Sequence, residues 1–474
     1  MSTPEGASPR APRHARLRVL LIAAAAALGG FLFGFDTAVI NGAVDALRHA
    51  FRLSAGWTGF AVSCALLGSA LGAWYAGRLA DRFGRVHTMQ VAAAVLAAGA
   101  LGAGLATSVG ALIAWRVVAG IGIGVASVVA PAYIAEISPA GIRGRLGSMQ
   151  QLAIVLGIFV ALLSDAWLAD SAGGAGQALW LGLGAWRWMF IVGVVPAAIY
   201  GSLALTVPES PRHLVAKGRT GDALRVLRKV LALDSEPALQ QKLHDIEHSL
   251  QSEHKPAWRD LFGGAAGLLP IVWIGILLSI FQQFVGINVI FYYSATLWHS
   301  VGFSEADAFA LTVATSVVNV LVTLVAIALV DRVGRKALLV TGSGGMAVTL
   351  ALMAWCFAQA TGGAAAPSLP APWGPVALVA ANLYVVFFGV SWGPVVWVLL
   401  GEMFPNRIRA MALAVAASAQ WLANFAITSS FPAMAQWSLP FAYGVYAAFA
   451  TLSLLFVLRF VRETRGVELE DMPG

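Results

Sequence analysis

The chain has 474 residues, of which 59% are hydrophobic and only 11% are charged, and its mean hydropathy is +0.78. A soluble protein of this length would carry many more charged residues, so the composition excludes the soluble class and indicates a membrane protein. Two cysteines exclude a disulfide framework, and basic loops between membrane helices explain the net charge of +7 without nucleic acid.

Twelve apolar runs follow one another along the chain, in two groups of six. A hydrocarbon core of about 30 Å needs roughly 20 apolar residues per helix, so each run predicts one membrane-spanning helix. The first run follows several arginines but has no convincing cleavage site, which predicts an uncleaved helix and not a secretory signal. The predicted spans are 19–41, 57–78, 87–107, 111–134, 147–169, 186–207, 268–295, 306–330, 337–358, 373–400, 409–433 and 440–461.

The stretch 208–262 differs from the spans because it is rich in charge. Its apolar residues Leu224, Leu227, Val230 and Leu231 have helical spacing, which predicts a linker of short amphipathic helices. The predicted organisation is an N-terminal tail, a six-helix bundle, the linker, a second six-helix bundle and a C-terminal tail, at 1–17, 18–207, 208–262, 263–462 and 463–474.

Basic residues are concentrated in the loops on one side of the predicted bundle. The opposite loops carry little beyond Arg48, Arg52 and Arg187. The positive-inside rule therefore predicts a multi-pass protein of the cell membrane (inner or plasma membrane) with both termini and the linker in the cytoplasm. The basic residues of the predicted cytoplasmic side are Arg78, Arg82, Arg85, Arg143, Arg145, Arg332, Arg335, Lys336, Arg407, Arg409, Arg459, Arg462 and Arg465.

Three loop elements occur once in each half, in the same order. They are an Asp-Arg-x-Gly-Arg sequence, a Glu-Pro-Arg set with the same spacing in both halves, and a Glu-containing sequence after the last helix. The pairs are 81–85 and 331–335, Glu136-Pro139-Arg143 and Glu402-Pro405-Arg409, and 208–212 and 462–466. The repetition predicts two parallel six-helix repeats, an architecture of alternating-access carriers with a substrate site between the halves.

The charged residues of these loops have two interpretations. They can be topology signals and helix caps, since isolated ion pairs at a wet surface contribute little. They can also form a conformational latch, because pairs that exist in only one of two conformations bias the equilibrium between them. The candidate latch residues are Asp81, Arg82, Arg85, Glu136, Arg143, Glu209, Arg212, Asp331, Arg332, Arg335, Glu402, Arg409, Glu463 and Arg465.

Two charged residues lie deep within predicted spans, where charge is costly and indicates function. Asp36 is roughly 25 Å along the first helix, and Arg116 is roughly 8 Å below the outer surface on the fourth. The depths match, so the two are expected to pair. The pair is either structural or a proton site, since protonation of the carboxylate would release the arginine.

Other polar residues in the spans are neutral. Gln282, Gln283 and Asn288 lie in the seventh span, near Tyr292. Amides offer donors and acceptors to hydroxyl groups, and aromatic faces pack on sugar rings, so an uncharged hydroxylated ligand is indicated; interhelical hydrogen bonding is the alternative. Glycines and a proline predict bends in the seventh and tenth spans. These are Gly286, Gly389, Gly393 and Pro394, and the further candidate contacts are Gln151, Asn319, Gln420, Trp397 and Trp421.

At these residues the chain resembles the sugar porters of the major facilitator superfamily, similar to bacterial xylose–proton and hexose–proton symporters and to animal glucose facilitators. The resemblance covers 17–467. It is carried by the motifs GFDTAVI, DRFGR, RVVAGIGIG, PESPR, QQFVGIN, DRVGRK, SWGPVVW and QWLAN, at 34–40, 81–85, 116–124, 208–212, 282–288, 331–336, 391–397 and 420–424.

The resemblance implies an all-α major facilitator fold of twelve helices and a proton-coupling pair at Asp36 and Arg116. Animal facilitators usually carry Asn at the Asp36 place, so the aspartate favours a symporter. The implied sugar contacts are Gln151, Gln282, Gln283, Asn288, Asn319, Trp397 and Gln420, with aromatic lining from Phe33, Tyr292 and Trp421.

Two features depart from the family pattern. The sequence Arg462-Glu463-Thr464-Arg465-Gly466 replaces a Pro-Glu-Thr-Lys-Gly element and places the C-terminal latch in question. Asp165, near the outer end of the fifth helix, has no fixed family role. We expect it to face water, with the outer vestibule and the proton route as alternatives.

The predicted function is a proton-coupled importer of a hexose or pentose that works by alternating access. The alternatives are a facilitative sugar uniporter and a non-transporting sugar sensor. An enzyme is not expected, because no nucleophile–base set, metal cluster or cofactor loop occurs in the sequence. The expected partners are a monosaccharide, a co-transported proton and the lipid bilayer, without a cofactor, metal or nucleic acid, and the protein is expected to be monomeric.

Overall fold

The structure is a computed structural model that describes residues 13–137, 143–231, 235–252, 258–263, 267–361, 368–405 and 408–463. The fold is all-α. Its helices are α1 Arg13–Ala50, α2 Ala55–Phe83, α3 Arg85–Leu105, α4 Val109–Ile137, α5 Arg143–Ala172, α6 Ala185–Val192, α7 Val194–Ala204, α8 Pro211–Ala216, α9 Thr220–Leu231, α10 Glu236–Ser252, α11 Pro270–Phe284, α12 Ile287–Ser300, α13 Glu305–Val333, α14 Arg335–Ala358, α15 Trp373–Val390, α16 Trp392–Met403, α17 Arg409–Trp437 and α18 Leu439–Phe460.

Within the described ranges, twelve stretches are long and apolar enough to cross a membrane. Nine are continuous, and three are broken into the pairs α6–α7, α11–α12 and α15–α16. The breaks lie at Gly193, at Gly286 and at Ser391. Helices suit lipid because all their backbone hydrogen bonds are internal. The twelve predicted spans are therefore confirmed, although most helices continue past the predicted ends.

Two of the three breaks lie in spans where the sequence predicts a bend. Gly286 has a φ of 87°, a left-handed conformation that suits glycine, and it separates α11 from α12 where the sequence predicts a bend. The tenth span breaks at Ser391, with φ −126° and ψ −88°, between the predicted Gly389 and Gly393. The break of the sixth span at Gly193 has no counterpart among the predictions.

Small residues allow the helices of the first half to pack closely. A Cβ on Gly120 of α4 would lie 2.0 Å from the Ala65 carbonyl oxygen of α2, and one on Gly157 of α5 would lie 2.1 Å from that of Phe31 on α1. Close backbone approach replaces hydrophobic association inside a membrane, where lipid is as apolar as the side chains.

The linker helices α8 to α10 lie at one end of the bundle, which we call the linker face; the other end is the opposite face. Arg18 of α1 donates to the carbonyl oxygen of Lys229 in α9 at 2.6 Å. Ala223, Leu227 and Val230 are buried on one side of α9, as an amphipathic helix requires. The linker therefore contains short helices, as predicted. The limits of the five predicted segments stay a prediction.

The two halves meet at the opposite face. One apolar core contains buried residues of both halves there, including Val39 and Leu47 of α1 with Phe291 and Leu297 of α12. A second core belongs to the first half near the linker face and takes in Val230 of α9. Helix pairs α1–α12, α2–α17 and α5–α13 form extensive contacts between the halves.

Candidate transport site

The structure brings Asp36 and Arg116 together. Nη1 of Arg116 donates to Oδ2 of Asp36 at 2.9 Å, and both side chains are buried. α1 supplies the carboxylate and α4 the guanidinium, at the matching depths expected from the sequence. The ring of Phe190 lies 5.6 Å from the guanidinium carbon. The pair is thus enclosed by apolar and aromatic groups.

The other donor groups of Arg116 form a long hydrogen bond or none. Nη2 reaches the Val62 carbonyl oxygen at 3.5 Å, and Nε has no hydrogen-bond partner within the described residues. A buried guanidinium with one carboxylate partner depends strongly on that partner. Protonation of Asp36 would remove the charge that holds Arg116, so the geometry permits a proton to control this contact.

Four amide side chains form a continuous hydrogen-bonded series across three helices of the second half. Nε2 of Gln420 donates to Oε1 of Gln282 at 2.5 Å, and Nδ2 of Asn288 donates to Oε1 of Gln283 at 2.5 Å. Gln283 joins the two pairs through a 3.5 Å contact with Gln282. Gln282 also donates to the Trp392 carbonyl oxygen, at the break of the tenth span, at 2.9 Å.

This series leaves an acceptor free. Oε1 of Gln420 is buried and has no hydrogen-bond partner in the described part of the chain. Unpaired buried polar atoms are costly and rare, so such an atom in a polar cluster is expected to meet a ligand or a water. Amides linked in this way can exchange partners with hydroxyl groups without a change of charge.

Aromatic side chains accompany the amides. Phe33 of α1 and Trp421 of α17 make an edge contact across the two halves, with ring centroids 5.4 Å apart. Tyr292 is buried, whereas Trp397 is 45% exposed. Gln151 on α5 is half-buried. Phe33 and Trp421 therefore form an aromatic contact between the first half and the second half.

Asn319, a candidate contact from the sequence, and Trp392 of the tenth span have mainly structural contacts. Asn319 is 6% exposed, and its backbone oxygen accepts from the Thr323 hydroxyl. Trp392, which shares the tenth span with Trp397, is completely buried and its indole N–H donates to Ser343 at 2.9 Å. Trp392 thus packs in the core, and it meets the site through its carbonyl oxygen.

The expectation that Asp165 faces water is wrong. Its side chain is completely buried, and its Oδ2 accepts from the backbone N–H of Gly42 in α1 at 3.3 Å. Asp165 lies near the C-terminal end of α5, and the rotation of α5 places the carboxylate against α1. Sequence position alone does not reveal that rotation.

Asn41 is a functional candidate that the sequence reasoning missed. Its Nδ2 donates to the Phe291 carbonyl oxygen at 2.8 Å, and its Oδ1 accepts from the Ala295 N–H at 3.1 Å. One side chain of α1 thus binds the backbone of α12 twice, across the boundary between halves. Its place five residues after Asp36, in an apolar run, was an available signal.

Two further contacts join the halves at the opposite face. Nδ1 of His299 lies 3.7 Å from the Asp45 carboxylate, and the Glu305 carboxylate accepts from the Ala175 N–H at 2.9 Å. Together with Asn41, they make the opposite face closed in this structure. The hydrogen bonds that Asn41 and Glu305 form between the halves both lie at this face.

At the linker face, Arg85 is the centre of a charged network. Its guanidinium binds Glu136 at 2.8 Å and approaches Asp81 at 3.4 Å. Glu209 caps the start of α3, because its carboxylate accepts from the backbone N–H groups of Arg85 at 2.9 Å and Val86 at 3.2 Å. The observed partner of Glu136 is therefore Arg85 of a different helix.

His213 extends this network. Its Nδ1 lies 3.3 Å from Nη1 of Arg85, and the side chain is buried beside Glu209. Burial lowers the pKa of His213 from its ordinary value, and Arg85 acts in the same direction while Glu209 opposes it. A neutral imidazole can accept from Arg85, whereas a protonated one would repel it.

The remaining candidate latch residues are only partly described. Arg82 is exposed and lies over the Phe83 ring at 5.1 Å, and Arg332 is exposed. Arg335 is buried, and its N–H binds Glu463. Arg212 lies at the start of α8. The side chains of Arg143, Asp331, Glu402 and Arg409, and the whole of Arg465, lie outside the described residues.

The family model described as "Sugar (and other) transporter" matches residues 22–474. The chain belongs to the sugar transporter family. This sugar transporter is 55% identical to the glucose transport protein of Synechocystis over 96% of this chain and 97% of that protein. It is 37% identical to the D-xylose-proton symporter of Escherichia coli, over 96% of this chain and 95% of the symporter.

A solved structure is similar over nearly the whole length. The xylose transporter of Escherichia coli in a partially occluded inward-open conformation superimposes with a TM-score of 0.81 at 36% identity, over 95% of this chain and 100% of that one. The major facilitator fold predicted from the sequence is thereby confirmed. The relatives are transporters and not enzymes, and the chain is a multi-pass membrane protein.

Proposed function

We propose that this sugar transporter is a proton-coupled importer of a monosaccharide, either a hexose or a pentose, that works by alternating access. The buried Asp36–Arg116 pair is the observation that carries the proposal. A carboxylate that is the acidic partner of a buried arginine changes the local charge when it takes up a proton. The pair lies on α1 and α4, next to the helices that meet the second half.

The coupling follows from the contacts of α1. Asp36 is five residues before Asn41, which binds α12, and three residues after Phe33, which contacts Trp421. When a proton neutralises Asp36, Arg116 loses its ionic partner. We expect α1 then to shift, which alters its contacts with α12 and α17 in the second half. Proton binding therefore biases the equilibrium between the outward-facing and inward-facing conformations.

The sugar is proposed to bind the amide series. Gln282, Gln283, Asn288 and Gln420 supply neutral donors and acceptors, and the buried Gln420 oxygen accepts a sugar hydroxyl. Relatives named for glucose and for xylose transport support a monosaccharide of either size. The sugar is held between halves by contacts with the half-buried Gln151 and with Trp421.

The linker face is proposed to be cytoplasmic, with both termini on that side. The arginines of the loops near α8 to α10 support this orientation through the positive-inside rule. The contacts that close the opposite face then make the conformation described here inward-facing. We propose that the charged network around Arg85 is a latch that biases the two conformations, and that the transporter works as a monomer.

The test is uptake of radiolabelled hexoses and pentoses into proteoliposomes, with and without an inward proton gradient. We expect accumulation above equilibrium that a protonophore abolishes. Asp36→Asn should keep sugar exchange and lose accumulation, whereas Asp170→Asn, at an exposed position of α5, should accumulate sugar like the wild type.

Other outcomes would overturn the proposal. Equilibration that ignores the proton gradient would make the protein a uniporter and would return the Asp36–Arg116 pair to a structural role. Sugar binding without any uptake would indicate a sensor. Neither result depends on whether a hexose or a pentose is recognised, because the panel includes both classes of sugar.

A further inference from the structure

A second buried carboxylate lies in the membrane part of the molecule and has no role in the mechanism above. The side chain of Asp165 is 0% exposed. Its Oδ2 accepts from the Gly42 N–H at 3.3 Å, and its Oδ1 has no hydrogen-bond partner among the described residues. The described residues also contain no ion pair with Asp165.

The contact with α1 is close and needs glycine. A Cβ built on Gly42 would lie 2.8 Å from the Cβ of Asp165. Gly42 is next in sequence to Asn41, which binds the backbone of α12 twice. The carboxylate of Asp165 therefore touches the segment of α1 that closes the opposite face.

A small gap connects this segment with the boundary between halves. It has a volume of about 20 Å³ and is lined by residues that include Asn41, Gly42, Asp45, His299 and Glu305. This is room for about one water molecule. When the halves separate at this face, water can reach Gly42, and the Asp165 carboxylate lies directly behind it.

Other charged groups on the packed helices have their own partners. Asp45 of α1 lies near His299 of α12 at 3.7 Å, and Glu305 of α13 accepts from the Ala175 N–H. Arg187 of α6 donates to two carbonyl oxygens of the first half, and Arg116 of α4 binds Asp36. His49 and Arg48 are exposed at the end of α1, and Asp307 binds Ser304 at the start of α13.

An ionised carboxylate without a cation is unstable in a closed apolar site, and it is stable once water solvates it. The protonated form of Asp165 is therefore favoured when the face is closed, and the ionised form is favoured when the face is open. Any group whose proton affinity differs between two conformations makes their equilibrium depend on pH. Asp165 fulfils this condition, because closure of the halves covers Gly42, the residue of α1 that its carboxylate contacts.

We propose that Asp165 is a gating carboxylate that must carry a proton for the opposite, external face to close. The inference rests on the proposed alternating access but not on proton coupling through Asp36. The proton enters from external water before closure and returns there when the face opens, since Asp165 has no exposure in the inward-facing state. It therefore adjusts closure without adding to the protons carried per sugar.

The test measures the separation of the halves at the external face. Spin labels at Gly56→Cys on α2 and Ala306→Cys on α13 report it, because both positions are exposed and a Cβ at Gly56 meets no neighbour. Cys64 and Cys356, which are buried, are replaced by alanine. The background is Asp36→Asn, so that the titration of Asp36 makes no contribution.

We expect the closed-to-open ratio to fall as pH rises, by up to about tenfold per pH unit for a single proton. Adding Asp165→Asn, a neutral isostere, should keep the face closed and remove the part of this pH dependence that Asp165 contributes, leaving the part due to His299 and Asp45. Adding Asp170→Asn, on the same helix but exposed, should leave it unchanged. The same pH profile with and without Asp165→Asn would overturn the proposal.

A second measurement uses the wild-type protein, so it does not depend on whether a variant folds. The infrared spectrum of the wild-type protein with its external face closed should contain the carbonyl stretch of a protonated buried carboxylic acid. Its absence would also overturn the proposal. Failure of proton coupling is recognised separately, because it abolishes accumulation in the uptake assay, whereas Asp165→Asn should not change the number of protons carried per sugar.

Discussion

The carboxylate of Glu463 accepts hydrogen bonds from the backbone N–H groups of Arg335 at 2.9 Å and Lys336 at 3.0 Å, at the start of α14. Glu209 has the same relationship to the start of α3. In both halves the capped helix follows a glycine with positive φ, 93° at Gly84 and 101° at Gly334. The departure from the family pattern around Glu463 therefore leaves this cap in place.

Both caps should contribute to stability. A negative charge that accepts N–H groups at a helix N-terminus contributes about 0.5–1 kcal/mol, so Glu209→Gln and Glu463→Gln should each lower the Tm by a similar small amount. The measurement is thermal unfolding in detergent. Arg462→Gln, at the exposed neighbouring position, is the control. Unchanged Tm values for both glutamine variants would show that the carboxylates do not stabilise these helices.

Closure of the external face should depend on Gly59. A Cβ at this residue of α2 would lie 2.0 Å from the Ser429 carbonyl oxygen of α17, in the other half. Gly59→Leu should hold the external face open, so that sugar still binds but uptake is lost at least tenfold. Uptake and the label distance between positions 56 and 306 check this. Gly110→Leu, where a Cβ meets nothing, should transport normally.

Gln420 and Gln282 should differ in what they contribute. Gln420→Ala removes one end of the amide series and should weaken sugar binding about tenfold, the loss of one or two hydrogen bonds. Gln282→Ala should weaken binding and also lower the Tm, because Gln282 holds the Trp392 carbonyl oxygen at the break of the tenth span. Calorimetric titration and thermal unfolding separate the effects. An equal Tm for both variants would contradict the structural role of Gln282.

His213 should make the linker face sensitive to acid. Burial lowers its pKa, so the unfolded chain binds a proton more readily than the folded one as pH falls below about 6.5. Stability should therefore decrease on acidification from about pH 7.5 to about pH 5.5, by at most about 1.4 kcal/mol per pH unit. His213→Gln should reduce this slope. The control is His87→Gln, an exposed histidine of α3, and thermal unfolding across the pH range is the measurement.

The spans, the repeat and the Asp36–Arg116 pairing could be predicted from the sequence because each rests on position along a helix. The bends of the seventh and tenth spans could also be predicted, from their glycines and proline, whereas the break at Gly193 was not predicted. The burial of Asp165 was missed because it depends on the rotation of α5. Helices that are apolar on most sides give no periodic signal of their rotation, so the neighbour of a given side chain is set by tertiary contacts.

The glycine break at position 286 has a consequence for selectivity. It lies between Gln282 of α11 and Asn288 of α12, so a sugar held by both would span a joint. α12 is a helix of 14 residues, and Asn41 of the first half accepts from its Ala295 N–H. A sugar with one hydroxyl in the wrong orientation would still bind the amides of α11, but it would not make the contact with α12 that moves this helix. Discrimination between sugars should then be found in turnover more than in affinity.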